Sequence, residues 1–276
     1  MNKIFRIIGI LSLICFSFFI TSKTSMLAKE MDEIMIKIKN EKYRYEYKSI
    51  DATINGNQII PGKCGMKVNI DKTYNEMKKI GMYDYHLYQY DYYLPKVNIY
   101  NNRDKYIISG NKYKSNIYIF IELTELNKKH IYESNFTNYN FIVNSLFYIN
   151  NLDLVEYIYQ NNNSILIKDT SYKRYKYILK KYKSLSNKNI YCYSLKDTFL
   201  SLCSSNGSLT IKKIEQITSN YLYNIKRILN NGVFINIELS NNYLVYKNEI
   251  EKYIEKKGLY ISNIENNLVG CEELYK

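Results

Sequence analysis

Histidine is nearly missing from this chain of 276 residues: there are two, His86 and His130. No His-x-x-x-His or Cys-x-x-Cys pair occurs, so the sequence offers no familiar divalent-metal site, and no metal or other cofactor is expected. His86 lies in a tyrosine-rich, strand-like segment and reads as structural; His130 reads as a surface residue of a helix. Also absent are a Gly-x-Ser-x-Gly elbow, a P-loop and a dinucleotide fingerprint, which removes the commonest hydrolase and nucleotide-binding readings. Cysteine is sparse. Cys64, Cys192, Cys203 and Cys271 follow no framework spacing, which does not suggest a disulfide scaffold in so long a chain, and Cys192 and Cys203 read as small core residues.

Acidic residues are few beside basic ones: Asp+Glu 26 against Lys+Arg 39, a formal net charge of +13. Such an excess can serve an anionic partner. Here the lysines are scattered rather than striped, and Asn, Lys, Ile and Tyr are overused together, as A/T-rich codons would produce. No nucleic-acid partner is therefore expected. No long low-complexity tail occurs, and the length suits one large α/β domain with a smaller appendage.

The N-terminus carries what the rest of the chain lacks, a long apolar run. Residues 7–20 are almost unbroken in this respect and follow Lys3 and Arg6. The run sits where signal h-regions and spanning helices overlap in length. Ser22-Lys23-Thr24 is a poor cleavage site, and Ile14 before Cys15 is too large for a lipoprotein box. An uncleaved anchor is favoured over a cleaved signal, with the body extracytoplasmic in either case.

Residues 29–42 place Met31, Ile34, Met35 and Ile38 at helical spacing. Residues 48–54 alternate like a strand, Asn55-Gly56 signals a hairpin, and residues 58–60 return. Residues 71–80 read as a helix stopped by Gly81. Residues 87–93 and 105–108 read as strands, so residues 29–110 form a small α+β domain. After Gly110 the rhythm changes. Strand-like runs at 117–123, 140–144, 164–167, 189–193, 208–211, 232–237 and 259–261 alternate with helix-like stretches at 125–135, 151–161, 172–185, 196–204, 219–230 and 243–257. The last of these carries the stripe Tyr246, Ile250, Tyr253 and Ile254. Strand–helix alternation with right-handed crossovers predicts a parallel sheet or barrel, and about seven strands suit an incomplete (β/α) barrel over residues 111–276. The N-terminal piece, residues 1–28, is the membrane segment.

The run Asn116-Ile117-Tyr118-Ile119-Phe120-Ile121-Glu122-Leu123 organises this half. It reads as a buried parallel strand ending on a carboxylate, and strand C-terminal ends face the ligand site in α/β folds. Ile119, Ile121, Ile142 and Ile235 are expected in the core.

From Lys114 to Leu268 this pattern resembles the polysaccharide deacetylases (the NodB homology domain), which fold as a distorted (β/α) barrel. The strand carrying Glu122 stands where that family has Thr-Phe-Asp-Asp-Gly. Gly232-Val233-Phe234-Ile235-Asn236-Ile237-Glu238 stands for its Gly-Ser-Ile-Ile-Leu-Leu-His strand, and Lys256-Lys257-Gly258-Leu259-Tyr260-Ile261 for its closing turn and strand. The segment from Pro61 to Gly81 is similar to the region preceding this domain in anchored relatives from spore-forming bacteria.

The diagnostic residues differ. The resemblance puts Glu122 at the general base and Leu123 at the metal-binding Asp. It puts Lys168 and Tyr172 at the two metal-binding histidines, and Glu238 at the catalytic His. The family's Arg-Pro-Pro segment falls near Tyr191-Cys192-Tyr193. Leucine has no donor atom and lysine is cationic, so neither is a normal divalent-metal ligand. The resemblance thus implies a membrane-anchored, catalytically degenerate member that binds wall glycan or a partner protein. Its candidate ligand-binding residues are Lys168, Asp169, Tyr172 and Tyr193, with tyrosine rings suited to sugar faces. The other reading is a divergent hydrolase of N-acetylated wall polysaccharide that uses Glu122 and Glu238 as a carboxylate pair. A lysine at the same rim predicts instead that Lys168 neutralises Glu122 or Glu238, with Tyr172 or Tyr193 hydrogen-bonding nearby.

Overall fold

The computed structural model describes residues 2–168, 170–185 and 190–268. In chain order its strands are β1 (Thr53–Asn55), β2 (Gln58–Ile60), β3 (Gly65–Val68), β4 (Tyr90–Tyr93), β5 (Tyr106–Ile107), β6 (Asn116–Glu122) and β7 (Asn140–Val143). They continue with β8 (Ser164–Lys168), β9 (Tyr191–Ser194), β10 (Leu209–Lys212), β11 (Gln216–Ile217), β12 (Phe234–Ile237) and β13 (Tyr260–Ile261). The chain divides into two compact units, residues 1–48 with 65–92 and residues 49–64 with 93–276.

The first unit opens with the helix Asn2–Glu30, whose Leu11, Leu13, Ile14, Phe16, Phe18, Phe19 and Ile20 are all exposed. Among the described residues no helix is long and apolar enough to cross a membrane. The helix expected over 29–42 starts afresh at Glu33, because Asp32 is extended and its carboxylate caps the Ile34 N–H. The helices Glu33–Glu41 and Ile70–Ile80 enclose a small core of Ile34, Met35, Ile38, Val68, Tyr74 and Met77. Gly81 ends the second helix at φ +73°, the left-handed conformation that glycine adopts without a Cβ penalty. The segment around His86 is not the expected strand but a 3-10 turn, with His86 exposed against the Tyr85 ring.

In the second unit one sheet follows the order β1-β2-β5-β10-β9-β8-β7-β6-β12-β11, and β13 pairs the start of β6. The described strand pairings of this sheet are parallel except the hairpin β1–β2, whose two-residue loop is Gly56-Asn57 and which an antiparallel bridge between Ile50 and Lys63 extends. The sheet curls into a half-barrel with helices on its outer face.

The period of two along each strand sorts side chains between two layers. Ile117, Ile119 and Ile121 of β6, with Ile235 and Ile237 of β12, pack against the helical residues Tyr175, Phe199, Ile225, Tyr243 and Ile250. Tyr118 and Phe120 turn the other way and fill the hollow with Ile142, Leu166, Tyr191, Tyr193, Leu209, Ile211 and Phe234. Each fully buried side chain of this size stabilises by about 1.5–3 kcal/mol. Ile119, Ile121 and Ile235 therefore lie in the sheet–helix core and Ile142 in the hollow.

The main strands and helices fall where the sequence put them, within two or three residues. Besides the short strands β3 and β11 and the short helix Ile264–Asn267, which were not expected, four features differ. The helix expected over 125–135 shrinks to His130–Glu133, and His130 is buried rather than on the surface, its Nδ1 2.9 Å from Glu133 Oε2. A helix Ser145–Asn150 appears, capped by Asn144 accepting from Phe147 N–H. The inner stripe of the helix Asn241–Lys256 is Tyr243, Lys247, Ile250 and Ile254, whereas Tyr246 is exposed. Finally, the sheet does not begin after Gly110. β2 pairs β5 and β5 pairs β10, which buries Ile59 and Ile107 and covers what would otherwise be an open edge at β10.

Candidate functional site

β6 and β8 end at one rim, because β7 between them is parallel to both. Their last residues, Glu122 and Lys168, share the parity of the hollow-facing Phe120 and Leu166. Lys168 Nζ donates to Glu122 Oε1 at 2.6 Å, with the two side chains 34% and 31% exposed. Charge-assisted bonds of this length are strong, and the pair is only partly screened by water. The turn behind Glu122 is fixed by Asn127, which donates from Nδ2 to the Glu122 carbonyl and accepts from the Thr124 N–H.

Beneath the pair lies Tyr193, paired in register with Lys168 and stacked with Phe120. Burial pushes its hydroxyl up to about 12, the bond to the Ile214 carbonyl partly opposes this, and the Glu122 charge adds to the rise. The hydroxyl stays protonated, donating to the Ile214 carbonyl at 3.2 Å while accepting the Ile214 N–H at 2.8 Å. Asn236 Nδ2 donates to the same hydroxyl at 3.3 Å, leaving Asn236 Oδ1 buried with no partner. Sequence reasoning passed over Asn236; its signal was a lone amide inside an apolar strand, at the parity of the hollow-facing Phe234.

The other expected residues do not join this group. Glu238 is exposed, and its backbone N–H is spent on the Ile217 carbonyl. Lys168 therefore meets Glu122 and not Glu238. Tyr172 is 54% exposed at the start of the helix Tyr172–Leu185, with Lys176 Nζ 4.7 Å from its ring centroid. It lines a separate cleft of about 870 Å³ with Ser145, Thr170, Arg174 and Thr198, which includes neither Glu122 nor Lys168. Asp169 and Cys271 lie outside the described residues. Leu123 departs furthest from a ligand position. Its N–H bonds the Ile142 carbonyl, so the strand continues, and its side chain is buried in the sheet–helix core beside Ile121.

Among the described residues of the rim, the donors do not suit a divalent metal. One carboxylate already satisfied by an ammonium, a cationic lysine and a leucine turned into the core are not a metal-binding set. Among the described residues no group of three His, Cys, Asp or Glu side chains comes together to hold one. What the rim can do is offer hydrogen bonds: the outer faces of Glu122 and Lys168 above a rigid tyrosine–asparagine floor.

Cys192 and Cys203 are not free core thiols. They form a disulfide that ties β9 to the helix Asp197–Ser205, and Cys64 is disulfide-bonded as well.

No family model matches the sequence, and no curated protein matches it. Solved structures do match. BA3943 of Bacillus anthracis, described as a CE4 family pseudoenzyme, aligns over 85% of this chain and 94% of its own, at 16% identity and a TM-score of 0.59. A mutant of BA3943 described as having restored enzymatic activity aligns over 84% and 97%, at 16% identity and a TM-score of 0.58. A family 4 carbohydrate esterase from Bacillus anthracis covers 56% of this chain and 83% of its own, at 11% identity and a TM-score of 0.44. At 16% identity the likeness to BA3943 shows the fold: this chain is folded like that CE4 family pseudoenzyme, as the resemblance to the polysaccharide deacetylases implied.

Proposed function

We propose that this protein is a non-catalytic relative of the deacetylases, anchored at the outer face of a bacterial membrane, that binds wall glycan through its barrel mouth. The single observation that carries this reading is the Lys168–Glu122 pair. The resemblance places a general base and a metal-ligating histidine at these positions; here an ammonium neutralises the carboxylate, so neither role survives. The likeness to a pseudoenzyme supports the fold, and the loss of chemistry rests on the residues at the rim. Two further observations support the location. Disulfides persist in oxidising compartments, and Cys192–Cys203 is one. The exposed apolar residues from Leu11 to Ile20 surround their helix on all sides, as a lipid-facing segment does.

The test is to incubate purified protein with an N-acetylated wall oligosaccharide and measure acetate release, bound zinc and calorimetric binding together. The expected result is binding without acetate release and without stoichiometric zinc, with the binding lost in a Glu122→Gln, Lys168→Met double variant. Acetate release by the wild type, or one zinc per chain, overturns the reading in favour of a divergent hydrolase. For the anchor, a C-terminally tagged protein should fractionate with membranes and be digested by protease added outside intact cells. A shortened, tagged form free in the medium would instead identify a cleaved signal.

A further inference from the structure

A second cleft, of about 800 Å³, lies at the other end of β6, where β6, β12 and β13 begin. Its lining includes Lys112, Lys226, Lys257, Tyr253, Ser109 and Asn231, and no Asp or Glu is among the residues that line it. Lys226 Nζ lies 4.8 Å and Lys257 Nζ 5.6 Å from the centroid of the one Tyr253 ring. Two ammoniums are thereby held within about a Debye length of each other, and a third cation shares the cleft. Like charges gathered this closely repel, and an anion between them relieves the repulsion.

Helix ends explain part of this but not all. Lys226 sits in the last turn of the helix Tyr221–Ile228, and Lys257 caps the helix Asn241–Lys256, both places where a cation complements the helix dipole. The dipole does not explain why both converge on one ring. Nor does it explain Lys112, which lies on no helix.

The floor is rigid. Gly110 N–H bonds the Gly232 carbonyl at 2.7 Å, and Gly232 N–H bonds the Asn116 carbonyl at 2.6 Å. Gly232 holds φ +75° with its missing Cβ 2.6 Å from the Gly110 carbonyl, so no other residue fits there. Asn231 Nδ2 donates to the Lys112 carbonyl, pinning the two loops together. Ser109 Oγ, on the wall, is sealed from solvent and has no hydrogen-bond partner.

We propose that this cleft binds a polymer carrying phosphate groups on a polyol or sugar backbone. Its volume suits a polymer segment better than a single ion. Its cations are all lysines, compact point charges that suit phosphate groups spaced along a flexible chain without demanding one bidentate geometry. Single-stranded nucleic acid needs open aromatic platforms for its bases. Tyr253, the aromatic residue of this lining, is half-buried with two ammoniums near its ring.

The experiment measures binding of labelled poly(glycerol phosphate) to the full-length chain in detergent, by fluorescence anisotropy across a salt series. The cleft variant is Lys112→Gln, Lys226→Gln, Lys257→Gln. The control variant, Lys129→Gln, Lys173→Gln, Lys180→Gln, removes the same net charge from exposed sites outside the cleft. The cleft variant should bind at least tenfold more weakly and lower the slope of log K against log salt by about 2, as loss of three phosphate contacts requires. The control should change affinity less than twofold. Equal losses in both variants would reduce the effect to net charge and overturn the proposal. So would wild-type affinity no greater than for a neutral oligosaccharide, or affinity for oligothymidylate of equal phosphate number as tight as for the polymer. A single charge reversal, Lys257→Glu, gives a second reading should the triple variant misfold. Lys168→Ala should leave this binding unchanged, so failure here and failure of the barrel-mouth reading are told apart.

Discussion

Lys168 and Glu122 are each about one-third exposed, which sets what their pair is worth. Exposed pairs contribute about 0–1 kcal/mol, and breaking a fully buried pair costs about 3–5 kcal/mol. Lys168→Ala is expected to destabilise by about 1–2 kcal/mol in urea melts. A double-mutant cycle with Glu122→Gln should assign most of that to the coupling between the two side chains. Leu123→Asp is a harsher change, because a carboxylate would enter the sheet–helix core beside Ile121 with no cation to meet it. A loss of roughly 3–5 kcal/mol is expected, by the same denaturation. Pairing it with Lys168→His should therefore unfold the rim before it restores a metal site. Both positions were legible in the sequence as departures from a metal-binding pattern. What the sequence left open was the direction of each side chain. Lysine at a strand end could have met either glutamate, and leucine could have faced either layer, until the register of β6 against β7 was fixed.

Among the elements, β9 and the helix that follows it illustrate what spacing conceals. Cys192 and Cys203 are 11 residues apart, a separation that matches no ligand or framework motif. They meet because Cys192 lies on the helix-facing side of β9 and the helix Asp197–Ser205 folds back over that face, with Phe199, Leu200 and Cys203 turned inward. Closing a loop of that length constrains the unfolded chain by about 3 kcal/mol on the chain-entropy model. Replacing both cysteines by alanine should lower stability by about that amount, read as the difference in unfolding free energy between oxidised wild type and variant. A variant as stable as the wild type would show that the bond adds nothing here. The helix Ser145–Asn150 was missed for a related reason. Its six residues are too few for a periodic signal, and its start depends on Asn144 capping Phe147 N–H.

For the whole molecule, the abundance of tyrosine becomes a pH dependence. Tyr139, Tyr148, Tyr175, Tyr193 and Tyr243 are buried, and burial is the largest cause raising the pKa of each. Tyr175 and Tyr193 are pushed up to about 12, and Tyr139, Tyr148 and Tyr243 are raised well above the ordinary tyrosine value. The unfolded chain releases these protons near pH ~10. The stabilisation is therefore complete below about pH 10 and is lost as pH rises from there through the folded-state values, where the folded form holds protons the unfolded form has given up. Denaturation midpoints should be flat between pH 8 and 9.5 as far as tyrosine is concerned, then fall steeply by pH 11.5. Tyr139→Phe, which removes a hydroxyl donating to Glu251 at 2.8 Å, should make that fall shallower.

The sequence by itself determined the alternation of strands and helices, because apolar period and β-branched composition are local properties of the chain. It determined which donor atoms Leu123 and Lys168 bring to the rim too, since these are a matter of residue type. It could not divide the chain correctly at Gly110. β1, β2 and β5 are short and lie before that glycine, yet their backbone partners lead to β10, about a hundred residues further along than β5. Strand pairing, the meeting of Lys168 with Glu122, the disulfide across the sheet–helix layer and the three lysines of the second cleft all depend on contacts between distant residues. Only the tertiary structure decided these, because a local pattern fixes which face of an element is apolar but not which other element that face meets.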